Sequence, residues 1–379
     1  MMSSSNKPQI ALLVSDPVPP NMEVVLFNLG RMVGKEFDLD IIVGPENDLR
    51  KEVLDLFDVY QADVCSRQIS GLRYGFEATH QYLQERRPDL ILNVSQPFPL
   101  GVAVVCLGKW KGVPSLLRIT GDFLNIAPLF DSIIKKAWVY LRLNVFCKNV
   151  FRFADHIVAI GPNLAERLVC AGFSEEKVHA QYQPFDARRF SPIADNRQPE
   201  LKADLGLNPS RKTILFVGRL NWMKGAGRLA EIIDRVLRRS EKYQFCLLGD
   251  GPDREVLTGY GSAVHAPGFV PHKIVHRYFQ AADLLIHPSR TEGAVPHVVL
   301  EALGCGVPVI ASPAGEIDNL VTMVTDNPDD YVEWILAGEE EWIRDSLPEH
   351  LNWERQSEQY KVLLDEAVGS RREVRSTGT

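Results

Sequence analysis

The chain has 379 residues, 45% of them hydrophobic and 24% charged, with a formal net charge of −7. That length exceeds one ordinary hydrophobic core and implies two domains. The acidic balance excludes a nucleic-acid binder built on a chain-wide basic footprint, and no clean apolar run is long enough to span a bilayer. The six cysteines (Cys65, Cys106, Cys147, Cys170, Cys246 and Cys305) are scattered, with no CxxC pair and no histidines clustered beside them. They read as buried reduced thiols rather than zinc ligands. The first residues, MMSSSNKPQ, have no apolar h-region, so no signal peptide is expected and the expected address is cytoplasmic.

Taken in order, QIALLV (9–14) and FDLDIIVG (37–44) read as buried strands, separated by a turn-rich DPVPPN and a helical stretch. LRKEVLDLFDVY (49–60) and GFEATHQYLQERR (75–87) read as helices, the second stopping at Pro88. DLILNV, PSLLRI, HIVAIG and KVHAQYQ continue the strand series. Between them lies 131–156, a long helix in which Lys135, Lys136, Arg142, Lys148 and Arg152 are mixed with Trp138, Tyr140 and Phe146. It admits two readings: aromatics turned into the core, or a helix lying on an anionic membrane. From about 185 to 212 the pattern lapses into a stretch rich in Pro, Asn and charge, which reads as a linker. A second series follows: TILFVG, QFCLLGDG, AVHAPGFV, DLLIHPS and VPVIAS. Short strands alternating with helices predict an α/β fold of two Rossmann-like parallel-sheet domains facing across a cleft, with ligands outside the carboxyl ends of the strands. The expected boundaries are 1–190, a linker at 191–212, a second domain at 213–350, a closing helix at 351–368 packing back toward the first domain, and a disordered tail at 369–379.

Two loops of the second half carry chemistry. PSRTEGAVPHVVLEALGCGVPVIAS (288–312) reads as loop, short helix, tight turn and buried strand, with Glu292 on the loop and Glu301 on a helix otherwise fit for burial. A carboxylate there needs a partner, and a ligand offering hydroxyls would serve. In VGRLNWMKG (217–225), Gly218 ends a strand, Arg219 follows, and Lys224 closes the loop before a helix. Two cations beside a helix N-terminus suit a diphosphate; a pair of solvated charges is the other reading.

GRLNWMKG, LLGDGPDR, GFVPH, AADLLIHPSRTEG and LEALGCGVPVIAS, in that order, resemble the C-terminal half of a GT-B-fold glycosyltransferase of the retaining family 4 type, the glycosyl transferases group 1. FDARRFSP and NWERQSEQY resemble that family's linker and closing helix, and the match is looser over the first 150 or so residues. The resemblance implies that Arg219 and Lys224 neutralise the pyrophosphate of a nucleotide-sugar donor. It implies that Glu301 accepts hydrogen bonds from the ribose diol and that Glu292, beside Gly293, lies near the transferred sugar. Gly218 belongs to the same donor loop. Gly315 falls at a backbone-donor turn near the phosphates, and Gly268 to Val270 lie by the nucleobase. The sequence also departs from the pattern. Eight residues rather than seven separate Glu292 from Glu301, and the first loop lacks paired glycines. RITGDF puts Thr120 where the family has a histidine. Asp122 two residues later is either a sugar-contacting acid or a turn residue.

Other classes fit less well. LLGDGPD departs from a dinucleotide fingerprint. Asp38 and Asp40 match an Asp-x-Asp but open a strand rather than end one, and so read as surface residues. A sugar-nucleotide epimerase, a phosphorylase or an inactive nucleotide-sugar-binding protein on the same fold stays open. The expectation is a retaining hexosyltransferase acting on a glycan or polyprenyl-linked acceptor in cell-surface polysaccharide or protein glycosylation. It needs no metal or other cofactor, and its place is cytoplasmic or peripheral at the inner face of the cell membrane.

Overall fold

The computed structural model describes residues 7–64, 70–95, 97–121, 123–125, 132–292, 295–318 and 320–376. Contacts divide the chain into two compact units, Met1–Pro184 with Glu354–Thr379, and Phe185–Trp353.

In the first unit, β1 (Gln9–Leu13), β2 (Asp38–Val43), β3 (Asp58–Gln61), β4 (Leu90–Asn93), β5 (Ser115–Ile119), β6 (His156–Ala159) and β7 (Val178–Ala180) form one parallel sheet in the order β3-β2-β1-β4-β5-β6-β7. Strands covered on both faces read as continuous apolar runs, and Ile10 to Leu13 are accordingly fully buried. Two expectations are corrected here. The helical reading of 49–60 holds only for Lys51–Leu54, and β3 follows at the sheet edge with only Tyr60 buried. Such a half-solvated strand lacks the apolar continuity that identified its neighbours. Asp40 is not a surface residue: it is 1% exposed and takes hydrogen bonds from Tyr82 Oη (2.6 Å), Arg86 Nη1 (2.8 Å) and Gln9 Nε2 (3.0 Å). A buried carboxylate at a strand start is tolerable because those donors replace its water.

In the second unit, β8 (Lys212–Val217), β9 (Tyr243–Leu248), β10 (Val264–Gly268), β11 (Leu284–His287), β12 (Val309–Ala311) and β13 (Met323–Val324) run parallel in the order β10-β9-β8-β11-β12-β13. The helix Ala226–Arg239 buries Leu229, Ile232, Ile233 and Val236, one face at helical spacing, in the core that includes Ile214, Phe216 and Phe245. Strand order reverses at β8, with β9 on one side and β11 on the other, so the loops leaving β8 and β11 border a topological switch point.

The linker reading is also revised. Residues 185–212 group with the second unit, and Gln198–Asp204 is a helix whose Lys202 is 3% exposed. Its Nζ meets Asp283 Oδ2 at 2.6 Å, and the same oxygen accepts from Thr213 N at 2.7 Å. At the other end, the helix Trp353–Ser376 runs past Val368 into the expected tail, over a stretch with three arginines and a glutamate, which favour helix. Cys170 is exposed rather than buried, and Cys65 lies outside the described residues. Replacing Asp283 by Ala strands a buried ammonium, so urea unfolding should show a loss of about 3–5 kcal/mol. Replacing both partners by apolar residues (Lys202→Met with Asp283→Leu) should recover most of it.

Candidate donor-binding site

The loop after β8 and the loop after β11 are laced together by backbone. Gly225 has φ of 78°, and a Cβ on it would stand 2.0 Å from the Pro288 carbonyl oxygen, so only glycine permits this approach. Arg290 N donates to Met223 O at 2.9 Å, and Ser289 Oγ to the same oxygen at 3.3 Å. Asn221 caps the single turn Trp222–Lys224, its Oδ1 accepting from Lys224 N at 3.0 Å. Across the sheet the carboxyl ends of β8, β9 and β10 are linked by Gly218, Gly249 and Gly268. Gly218 N donates to Leu248 O at 2.9 Å and Gly249 N to Gly268 O at 2.8 Å. A Cβ on Gly249 would strike Gly218 O at 2.0 Å. Bare backbone therefore lines this edge.

The lacing sets the charges. Glu292 Oε1 receives Lys224 Nζ at 2.5 Å and lies 3.0 Å from His287 Nε2. The Glu292 side chain is only 11% exposed. Burial pushes its pKa up, but the hydrogen bond and charge of His287, with those of Lys224, prevail and hold it at about 2. His287 ends β11 and is itself fixed: Ser312 N and Tyr331 Oη donate to its carbonyl at 3.0 and 3.4 Å, and Arg228 Nη1 donates to Ser312 Oγ at 2.6 Å. Arg219, at the head of the same loop, is exposed, and its side chain has no hydrogen-bond or ion-pair partner among the described residues.

The second glutamate occupies a different setting. The helix His297–Gly304 buries Val299, Leu300, Glu301, Ala302 and Leu303. Gly306, with φ of 70°, closes it, its N donating to Leu303 O at 3.0 Å while Val307 N donates to Ala302 O at 2.9 Å. Glu301 is 4% exposed, and its Oε1 lies 3.0 Å from His272 Nε2. His272 opens the helix that follows Gly268–Val270, so Glu301 is tied to the segment expected beside the nucleobase. Burial foremost, and the Glu301 charge after it, push the Cys305 thiol up to about 12.

The structure thus brings Lys224 and Glu292 into contact, sets Gly218 and Gly268 on one backbone edge, and gives Gly315 a positive φ of 80° in its turn. Gly293 and Asp122 lie outside the described residues. His287, His272, Arg228 and Ser312 were missed in the sequence. The available signal was a histidine at the end of an otherwise apolar LLIH run. Among the described residues no cluster of three or more His, Cys, Asp or Glu could hold a metal ion.

Because the folded pKa of Glu292 lies below its ordinary value of 4.5, its charged form stabilises the fold above that pH. This contribution is lost as pH falls through about 2. In denaturant titrations the stability difference between wild type and Glu292→Gln should therefore be largest near neutrality and shrink between about pH 4.5 and 2. A difference that does not vary with pH would contradict the ion-paired carboxylate.

Residues 211–339 match the family model described as glycosyl transferases group 1. TuaC of Bacillus subtilis (strain 168), provisionally named a teichuronic acid biosynthesis glycosyltransferase, is 32% identical over 234 residues, covering 62% of this chain and 55% of its own. A GDP-mannose-dependent alpha-mannosyltransferase of Mycobacterium tuberculosis (strain CDC 1551 / Oshkosh) is 28% identical over 238 residues, 62% of this chain and 58% of its own. The chain thus spans a little over half the length of these curated relatives. Among solved structures, sucrose-phosphate synthase of Thermosynechococcus elongatus superposes with a TM-score of 0.73 at 18% identity, covering 96% of this chain and all of that one. Anabaena Alr3699/HepE in complex with UDP-glucose does so at 0.66 and 17%, covering 97% and 99%. At these identities the likeness speaks for the fold alone. Residues 211–339 of this chain accordingly match the glycosyl transferases group 1, within a GT-B fold of two Rossmann-like units.

Proposed function

We propose that the protein is a retaining hexosyltransferase that takes a sugar from a nucleoside-diphosphate donor held by its second unit. The observation that carries this reading is the switch-point cluster. An exposed Arg219, without a side-chain partner among the described residues, and an ion-paired Lys224 stand on one loop, and Glu292 stands on the loop stitched to it. Cations at a strand end next to a helix N-terminus suit a diphosphate and support its departure. In this reading Lys224 shares its ammonium between Glu292 and the leaving phosphate, and Arg219 supplies the second positive charge. Glu292 faces the transferred sugar, and Glu301, held by His272, accepts from the ribose hydroxyls. Gly218 and Gly268 allow close approach to bare backbone, and Val270 and Gly315 offer backbone donors, so that no metal is required. Retention implies attack on the face the diphosphate leaves, with a diphosphate oxygen taking the acceptor proton. The named activities of the relatives, one in teichuronic acid biosynthesis and one GDP-mannose-dependent mannosyl transfer, support a role in glycan assembly. The reading extends this to a glycan or polyprenyl-linked acceptor at the cell surface, worked from the cytoplasmic side.

Turnover of a radiolabelled nucleotide hexose into such an acceptor tests the reading, after a thermal-shift screen has chosen the donor that most raises the melting point. Arg219→Ala and Lys224→Ala should each lower kcat by about two to three powers of ten. Wild-type rates in both, release of free sugar into water alone, or epimer formation without acceptor would overturn it.

A further inference from the structure

Residues 132–153 carry five basic side chains and no acidic one, in a chain whose net charge is −7. They form three end-to-end helical segments, Ile133–Tyr140, the π-helical Leu141–Cys147 and Lys148–Phe151. Val139, Leu143, Cys147 and Phe151, each four residues from the last, are buried. In a regular α-helix such a series rotates by about 40° per step. The wider π turns offset that drift and keep one face on the core. The opposite face carries Ile134, Trp138, Leu141 and Val145, which are 82%, 60%, 59% and 45% exposed. Of the two readings open in the sequence, burial of the aromatics is excluded: Trp138, Tyr140 and Phe146 are all more than half exposed.

The cations sit among these apolar groups. Lys135 and Arg152 are exposed and Lys148 partly so, while the Arg142 guanidinium lies 4.6 Å from the Trp138 ring centroid. The helix Val102–Lys111, which packs against Lys148–Phe151, ends in Lys109, Trp110 and Lys111. Trp110 is 67% exposed, with Lys111 Nζ 4.3 Å from its ring centroid. A protein-binding patch concentrates its apolar residues and is depleted of lysine. Here lysines and arginines interrupt the apolar stripe, as they do where long stems lie along hydrocarbon with their charges among headgroups. Tryptophan and tyrosine favour the same depth. No helix among the described residues is long and apolar enough to cross a membrane, which leaves this one a surface-lying mode.

We propose that the helical stretch Ile133–Phe151 is a docking face for an anionic lipid bilayer. Ile134, Trp138 and Leu141 enter the boundary between headgroups and acyl chains, and Lys135, Lys148 and Arg152 meet the headgroup phosphates. The docking is independent of the transferase reading, since it needs neither donor nor acceptor. The full chain, with no sugar nucleotide present, is floated with vesicles of phosphatidylcholine alone and with vesicles containing about one third phosphatidylglycerol. It should float with the second and not the first, and added salt should release it. Lys135→Glu/Lys148→Glu/Arg152→Glu and Ile134→Ser/Trp138→Ser/Leu141→Ser should each reduce partitioning roughly tenfold or more, with the circular dichroism spectrum and melting temperature unchanged. The proposal is overturned if the wild type fails to float, or if neither triple variant loses binding. It is equally overturned if light scattering finds a dimer that the apolar triple variant separates, because the face would then belong to a second copy.

Discussion

A carboxylate buried between a lysine and a histidine is the constraint around which the second unit's carboxyl edge is arranged. Glu292 is desolvated, and an isolated charge there would be costly. It is held ionised because Lys224 arrives from one loop and His287 from the last position of β11. Both arrivals depend on backbone. Gly225 lets the first loop press against Pro288, and the carbonyl of His287 is fixed by Ser312 N and Tyr331 Oη. The acid is therefore positioned by strand order, by a missing Cβ and by neighbouring polar groups, more than by its own place in the chain.

The two glutamates, one on a loop and one on a helix, turn out to have a common device and different surroundings. Each is mostly buried, and each has one oxygen against a histidine Nε2 at 3.0 Å. Glu301 has its histidine alone among the described residues, on a helix whose register is closed at Gly306. Glu292 adds a cation, and with it a ready competitor for any anionic group that approaches Lys224. With one more residue than the family spacing in the loop from Glu292 to the helix, Glu292 still lies against Lys224, a contact the sequence did not suggest.

Much of the fold was legible because buried parallel strands announce themselves as short, unbroken apolar runs. β1, β4, β5, β8, β9 and β11 were found this way. β3 was not, since a strand solvated along one side carries no such run, and its Asp-Val-Tyr-Gln fits the end of a helical pattern equally well. At the site, Arg219, Lys224, Glu292 and Glu301 stood out as charges in strand-end or apolar contexts. The histidines did not, because pairing Glu301 with His272 requires the crossing of elements 29 residues apart. Asp40 shows the same limit, since its partners Tyr82 and Arg86 come from a helix end two elements away.

The pairing of Lys202 with Asp283 has a consequence for where this protein can be divided. By composition, the stretch before β8 resembles a tether that a cut could pass through without harm. Its ammonium instead completes the hydrogen-bonding of a carboxylate at the start of β11, a central strand. A fragment that began at β8 would leave that carboxylate short of a buried counter-charge, next to the strand that carries His287 to the site. The second compact unit starts at Phe185, and the segment that looks like punctuation is part of its first word.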